Sequence, residues 1–307
     1  MSQQPHLSSL ATSFATITDS IGGGTSHVVA IEGADIHYTC WNMQFAQRPL
    51  LLFVHGFRAH AHWWDAVLPY FMESYRIVTM DFSGMGESQH RASYSPALYA
   101  REITGLLDAL DAGPVTGIAH SYGGSRLLRA CHDRPELFAR LIVIDSFLYF
   151  RDGTRPPLPG NNALRVYPDL QTACARFRLM PAQPSPLAAL HDHVARHSLR
   201  PVDGGWIWKF DPAIPANGSL EIPAEDLLPR IPVRTDFIYG EHSKVVDRQT
   251  AERIVALLPN AGQPIEVPDS HHHLMLDQPL SLVTALRTLL AQDKIAIHHP
   301  TSGDHLQ

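Results

Sequence analysis

The segment that most restricts the possible folds is Gly117-Ile118-Ala119-His120-Ser121-Tyr122-Gly123-Gly124, preceded by Pro114-Val115-Thr116 and followed by Ser125-Arg126-Leu127-Leu128-Arg129-Ala130. It predicts a buried strand, a sharp turn and a helix, with Ser121 at the turn. The small side chains of Ala119, Gly123 and Gly124 let the flanking backbones approach closely. Such a turn holds Ser121 in a strained conformation with its hydroxyl above the sheet edge. It also presents the Tyr122 amide N–H at the start of the helix, pointing to where an oxyanion would form.

The surrounding chain supplies a sheet for this turn to sit on. Val28 to Ile31 and Ile36 to Cys40 read as two strands joined at Gly33-Ala34, a hairpin ahead of the main fold. Leu50 to Val54 is a continuous apolar run, which suits a strand buried on both faces; it ends in His55-Gly56-Phe57. Ala61 to Tyr70 carries Trp63, Trp64, Val67 and Leu68 at helical spacing, read here as core. Tyr75 to Met80 is a further buried strand, running into Asp81-Phe82-Ser83-Gly84-Met85-Gly86-Glu87-Ser88. Ile103, Leu106, Leu107 and Leu110 mark one face of a helix over Tyr99 to Leu110, which Gly113-Pro114 ends. Leu141 to Ile144 is the next strand and stops at Asp145. Strands therefore alternate with helices from residue 50 to 145, the rhythm of a parallel sheet built from βαβ units. Functional residues of such sheets gather at the carboxyl ends of strands, where His55, Ser121 and Asp145 all fall.

From Phe147 to Arg230 the rhythm stops. Prolines are frequent, from Pro156, Pro157 and Pro159 to Pro229. Only short helical pieces are visible, at Leu170 to Phe177 and Leu187 to His197, and no buried strand. An insertion of this length is expected to be a functional lid or cap, largely helical. The βα rhythm resumes with a strand at Phe237 to Tyr239 ending at Gly240, a helix at Arg248 to Leu258, a strand at Ile265 to Val267 and a helix at Pro279 to Leu290. The expected organisation is a flexible tail over 1–26, ending at Gly22-Gly23-Gly24, core over 27–146, cap over 147–230, core over 231–292 and a flexible tail over 293–307. A length of 307 residues with 45% hydrophobic content suits one large α/β domain carrying an insert. A net charge of −6 without long single-sign runs argues against a nucleic-acid partner. Cys40, Cys131 and Cys174 are widely spaced and odd in number, which suits reduced thiols. The N-terminal residues lack the basic start and apolar core of a signal peptide. No apolar run reaches the length of about 18 residues needed to span a membrane. The expectation is a cytoplasmic protein with no membrane partner.

Four motifs then fall in a fixed order: His55-Gly56 after an early strand, Asp81-x-x-Gly84-x-Gly86-x-Ser88 after the next, small-x-Ser-x-Gly around Ser121, and a late histidine. The Ser121 turn has the form of a nucleophile elbow, with Ala119 in place of the usual first glycine. In this order the chain resembles the α/β-hydrolase superfamily over roughly residues 27–292, least in the insert. The resemblance implies an α/β-hydrolase fold, a mostly parallel central sheet flanked by helices. It also implies a Ser-His-acid triad. The usual ending of the family is Gly-His, four residues, an acidic residue, any residue and Pro. Counting back from Asp277-Gln278-Pro279 selects His272 among His271, His272 and His273, with His271 in the place of Gly. Three adjacent histidines on an extended segment diverge and lack a carboxylate or cysteine pattern, so no metal is expected there. His191, His193 and His197 read as surface or pocket-lining residues.

Many relatives place the acid three residues past the position of Gly240, which is Ser243 here. The other arrangement known in the family places it after the strand that follows the nucleophile helix, which is Asp145. A carboxylate directly after four apolar residues is costly to bury without a partner, and His272 would provide one. Asp247 and Glu241 are the alternatives. By this resemblance Ser121 is the nucleophile, His272 the general base and acid, and Asp145 the residue that orients His272. The backbone N–H groups of Phe57 and Tyr122 would form the oxyanion hole.

A serine in the elbow implies an acyl intermediate, unlike the carboxylate of haloalkane dehalogenases and epoxide hydrolases. The substrate implied is a small or medium carboxylic ester or lactone, and no cofactor is needed. The alternatives are a carbon–carbon bond hydrolase of β-diketones, a cofactor-independent dioxygenase of the same fold, and a non-catalytic small-molecule receptor. Phe147, Trp206 and Trp208 from the aromatic insert, together with His120, are expected to contact substrate. Seven arginines from Arg151 to Arg200, Arg155 among them, face Asp152, Asp169 and Asp192; this excess reads as a solvated surface.

Overall fold

Five residues without a polar side chain, Leu50–Val54, form strand β3, and all five are buried. A computed structural model describes residues 23–153, 164–215 and 222–298, with side chains up to residue 292. Most of the expected N-terminal tail (1–22), the end of the expected C-terminal tail (299–307), and Arg155, Pro156, Pro157 and Pro159 lie outside the described residues. Around β3 the sheet holds β1 (Thr25–Ile31), β2 (Ala34–Trp41), β4 (Arg76–Met80), β5 (Val115–His120), β6 (Phe138–Ile144), β9 (Arg234–Gly240) and β10 (Ile265–Val267), in the order β1-β2-β4-β3-β5-β6-β9-β10. From β4 to β10 every pairing is parallel, while β1–β2 and β2–β4 are antiparallel. The expected hairpin is therefore the edge of the main sheet, and β1 begins at Thr25, inside the expected tail. Helices α1 (Pro96–Ala109), α2 (Tyr122–Asp133), α6 (Arg248–Leu257) and α8 (Pro279–His298) accompany these strands. Helix α8 runs past Leu290 through six residues of the expected C-terminal tail.

Two apolar clusters cover the two faces of the sheet. One joins Leu50, Leu52 and Val54 to Ile103, Leu107, Leu127 and Ile254; the other joins Leu51 and Phe53 to Trp64, Phe71, Leu282 and Leu286. The alternate residues of β3 thus enter opposite cores, as the period of a strand requires. Trp63, Trp64, Val67 and Leu68 are core as expected, but their segment is not one helix. It forms two 3₁₀ turns, Ala61–Trp64 and Leu68–Tyr70. Pro69 lacks the N–H that a continuous helix would need there. Among the described residues no helix is long and apolar enough to cross a membrane.

The loop after β4 is built on Asp81. Its carboxylate accepts from the Ala61 amide at 2.7 Å, the Glu87 amide at 3.0 Å and His37 Nδ1 at 2.9 Å. Gly86 has φ +55, and a Cβ there would stand 2.2 Å from the Asp81 carboxyl carbon. Burial opposes ionisation of Asp81, but the hydrogen bond from His37 and the nearby His55 outweigh it and hold the carboxyl far below its ordinary range. Replacing Asp81 by Asn is expected to destabilise the fold by about 3 kcal/mol at neutral pH, since buried donors lose their charged acceptor. The folded pKa is depressed, so this contribution is present in full above the unfolded value of about 3.9 and fades as pH falls below it. Urea melts of both proteins at pH 7 and pH 3 test this; a difference that does not shrink at pH 3 would contradict it.

The insert between β6 and β9 holds α3 (Leu170–Cys174), α4 (Ala188–His197), α5 (Ala224–Leu227) and an antiparallel hairpin of β7 (Leu199–Val202) and β8 (Gly205–Trp208). The hairpin departs from the expected absence of strands. Its turn, Asp203-Gly204-Gly205, has positive φ at both glycines, and Asp-Gly is a strong hairpin signal. The insert is bonded to loops at the carboxyl ends of the parallel strands. His60 after β3 reaches Ser198 at 2.9 Å, the Gly84 carbonyl after β4 accepts from the Asp211 amide at 2.7 Å, and the His273 amide after β10 donates to Gln183 at 2.9 Å. Arg151 pairs with Asp226 and Arg196 with Asp192, all exposed, as a solvated charged surface would be.

Candidate active site

At the end of β5 the backbone turns through Ser121 at φ 52° and ψ −120°, and α2 starts at the next residue. Holding a non-glycine residue there costs about 1–3 kcal/mol. Three hydrogen bonds hold it: the Ser121 amide donates to the Ile144 carbonyl at 2.8 Å, the Gly124 amide donates to the Ser121 carbonyl at 3.0 Å, and the Ser146 hydroxyl donates to that same carbonyl. Only glycine fits the next turn. A Cβ on Gly123 would lie 2.3 Å from the His55 carbonyl oxygen, and one on Gly124 would lie 2.4 Å from Ser146 Oγ. The contact at Gly123 brings the His55-Gly56-Phe57 loop against the start of α2. The rings of Phe57 and Tyr122 lie 5.3 Å apart, and the guanidinium of Arg126 sits 3.6 Å above the Tyr122 ring.

His55 braces that loop. Its Nδ1 bonds the Gly56 carbonyl at 2.7 Å and its Nε2 accepts from the Phe82 amide at 3.1 Å. Burial lowers its pKa, despite the opposing pull of Asp81, so it serves as a neutral brace.

Asp145 follows β6, fully buried and at φ 46°. Its amide donates to the Ile238 carbonyl at 2.7 Å. Its carboxylate receives the Gly240 amide at 2.8 Å on Oδ2, and both the Ser243 hydroxyl and His272 Nδ1 at 2.7 Å on Oδ1. Ser243 Oγ itself accepts from the amides of Val245 and Val246, which directs its hydrogen to Asp145. The alternatives to Asp145 are engaged elsewhere. Asp247 caps α6 through the Thr250 amide, and Glu241 accepts from the exposed Asp269 amide.

His272 stands in the loop between β10 and α7 (Leu274–Asp277). Its side chain is 4% exposed, so its hydrogen bond to Asp145 is shielded from water. With Nδ1 on Asp145, Nε2 is the ring nitrogen open to a second partner. The loop is fixed on both sides. Asp277 accepts from the amide and Nδ1 of His271, and Gln183 of the insert accepts from the His273 amide while donating to Asp277 at 3.3 Å. His120, expected at the substrate, lies buried beside the turn. It bonds the His272 carbonyl at 2.8 Å with its ring 4.7 Å from that of His272. Burial, and secondarily the neighbouring His272, pushes its pKa well below the ordinary value, so Nε2–H donates to that carbonyl. Ser121, Asp145, His120 and His272 are thus gathered at adjoining strand ends. Phe147 is half-buried just past Asp145, while Trp206 and Trp208 lie on the insert hairpin. Trp206 pairs its backbone with Tyr167, and Trp208 packs on Phe177 and Tyr167.

Sequence reasoning passed over three residues. Ser146 locks the Ser121 carbonyl, Gln183 holds the His272 loop, and Ser243 supports Asp145. The signal for Ser243 was its place three residues past Gly240, where the alternative acid would stand. Ser243→Ala removes one hydrogen bond to a buried carboxylate, worth about 1.5–3 kcal/mol. It is expected to lower turnover by about tenfold at unchanged KM. Steady-state kinetics on an activated ester checks this; wild-type turnover would remove Ser243 from the site.

Residues 51–286 match the sequence profile of the alpha/beta hydrolase family, and the chain belongs to that family. The fold and this membership define it as a hydrolase. An esterase of Mycobacterium tuberculosis is 26% identical over 279 residues, covering 88% of this chain and 91% of its own. A solved structure of the same esterase superposes with a TM-score of 0.68 at 20% identity, covering 95% of this chain and 100% of its own. The thioesterase domain from the curacin biosynthetic pathway gives a TM-score of 0.75 at 22% identity, covering 87% of this chain and all of the domain. These two superpositions describe the shared fold.

Proposed function

We propose that the protein is a serine hydrolase that cleaves a small or medium carboxylic ester or lactone through an acyl-enzyme. The observation that carries this reading is the buried bond between His272 Nδ1 and Asp145 Oδ1 at 2.7 Å, at strand ends adjoining the strained Ser121 turn. Asp145 fixes His272 as the Nδ1–H tautomer and stabilises its cation once formed. His272 Nε2 takes the proton of Ser121 Oγ, which attacks the carbonyl carbon. The N–H groups of Phe57 and Tyr122 receive the developing oxyanion; each such donor is typically worth about 3 kcal/mol in the transition state. The C–O bond breaks as His272 returns the proton to the leaving alcohol. Water then repeats the sequence on the acyl-enzyme. The insert acts as a cap, with Phe147, Trp206 and Trp208 as candidate substrate contacts, and His120 positions His272 through its carbonyl. The esterase relative, matched along most of its length, supports the choice of an ester.

The test is intact-protein mass after brief exposure to p-nitrophenyl acetate and butyrate, with nitrophenol release followed alongside. A burst of nitrophenol with an equal gain of acyl mass is the expected result. A folded protein that gains no acyl mass from these esters or a small fluorophosphonate, yet consumes oxygen with a 3-hydroxy-4-quinolone, would replace this reading by the dioxygenase.

A further inference from the structure

Outside this site, three imidazoles converge where the insert meets the core. His193 and His197 stand one helical turn apart on α4, and His62 lies in the 3₁₀ turn Ala61–Trp64. One ring nitrogen from each lies within 4.8 Å of the other two. The rings of His62 and His197 are 3.9 Å apart, and those of His193 and His197 are 4.3 Å apart.

The other nitrogen of each ring is already engaged. Asp65 Oδ2 bonds His62 Nδ1 at 2.8 Å and His193 Nε2 at 2.8 Å, and His197 Nδ1 bonds the His193 carbonyl at 2.9 Å. Among the described residues this leaves His62 Nε2, His193 Nδ1 and His197 Nε2 as the ring nitrogens without a hydrogen-bond partner. A carboxylate or carbonyl behind each imidazole is the support that metal-bound histidines receive. Behind the cluster, the ring of His60 lies 5.8 Å from that of His62, and its buried Nδ1 has no partner among the described residues. A buried polar atom left unpaired is uncommon and requires a reason.

We propose that His62, His193 and His197 bind one divalent transition-metal ion, zinc by its preference for three imidazoles and an open fourth position, and that this ion staples α4 to the core. Tetrahedral zinc with bonds of about 2.0–2.1 Å sets its nitrogens about 3.4 Å apart. Small side-chain rotations from the observed spacing supply that. The proposal revises the expectation that His193 and His197 are plain surface or pocket-lining residues. Their spacing on a helix was visible in the sequence; the third ligand, 131 positions earlier than His193, was not.

The experiment uses the full chain without an affinity tag, stripped with EDTA and titrated with cobalt(II), then with zinc. One equivalent of cobalt is expected to give the visible band of tetrahedral nitrogen coordination, and one equivalent of zinc to erase it. His62→Asn and His193→Asn should each weaken zinc binding at least tenfold. Asp65→Asn should weaken it by about 10–100-fold, the usual cost of losing such a support. His242→Asn, in the exposed Glu241–His242–Asp269 group, should change nothing. Zinc should also slow amide exchange across 188–198 and shield His62 and His193 from diethylpyrocarbonate in the unaltered chain, a readout that needs no variant to fold. Absence of stoichiometric binding at micromolar metal would overturn the proposal. So would a single site indifferent to His62→Asn and His193→Asn, or one lost in His242→Asn.

Discussion

Ser121→Ala is expected to lower turnover of p-nitrophenyl esters by about 10⁴–10⁶-fold and to abolish the acyl adduct, while leaving the melting temperature the same or higher. The loss is large because, in the proposed mechanism, the hydroxyl oxygen forms the bond to the acyl carbon; what would remain is the contribution of the proposed oxyanion donors and of binding. Stability is retained because, among the described residues, the side chain of Ser121 has no hydrogen bond that the turn depends on. The turn is held through its backbone amide and carbonyl, by Ile144, Gly124 and Ser146. Mass spectrometry, steady-state kinetics and a thermal melt on one preparation check all three. Persistence of the adduct on a folded Ser121→Ala protein would place the nucleophile elsewhere.

Asp145→Asn is expected to cost about ten-thousand-fold in turnover with little change in KM. Three donors surround this carboxylate: the Gly240 amide, the Ser243 hydroxyl and His272 Nδ1. An Asn side chain has one oxygen, so its amide group must face at least one donor. Either the ring of His272 takes the other tautomer, or a buried donor is left unpaired at about 1–3 kcal/mol. Folding should therefore weaken by a similar amount, unlike Ser121→Ala. Asp247→Ala is the control, since Asp247 caps α6 and a lost cap costs about 1 kcal/mol of stability without touching turnover. If Asp145→Asn stays within tenfold of the unaltered chain, the acid role belongs to another carboxylate.

The parallel sheet was legible because runs such as Leu50–Val54 and Phe138–Ile144 are buried on both faces and contain little but apolar residues. The candidate site was legible for a related reason: a carboxylate at the end of such a run, Asp145, has no place in a core unless it is engaged, and the small residues around Ser121 mark a tight turn at the end of another. What escaped is what does not follow from burial. The turns at Ala61–Trp64 and Leu68–Tyr70 have the apolar spacing of a helix, and only Pro69 betrays the break. The hairpin of β7 and β8 has four-residue strands, one containing Pro201, and is half exposed, so its pattern is weak outside Asp203-Gly204. Contacts between distant segments, such as Ser243 to Asp145 or His62 to His197, are set by tertiary placement that no local pattern encodes.

Gln183 belongs to the insert yet grips the His272 loop at two points, the His273 amide and the Asp277 carboxylate. Under the proposed mechanism, in which the insert is the cap and His272 the base, the part of the chain that meets an incoming ligand is therefore in mechanical series with the ring that moves the proton. A ligand that shifts this stretch of the insert also shifts the base. Discrimination between substrates is then exercised in the speed of bond breaking, so that two compounds held equally tightly leave at different rates as product.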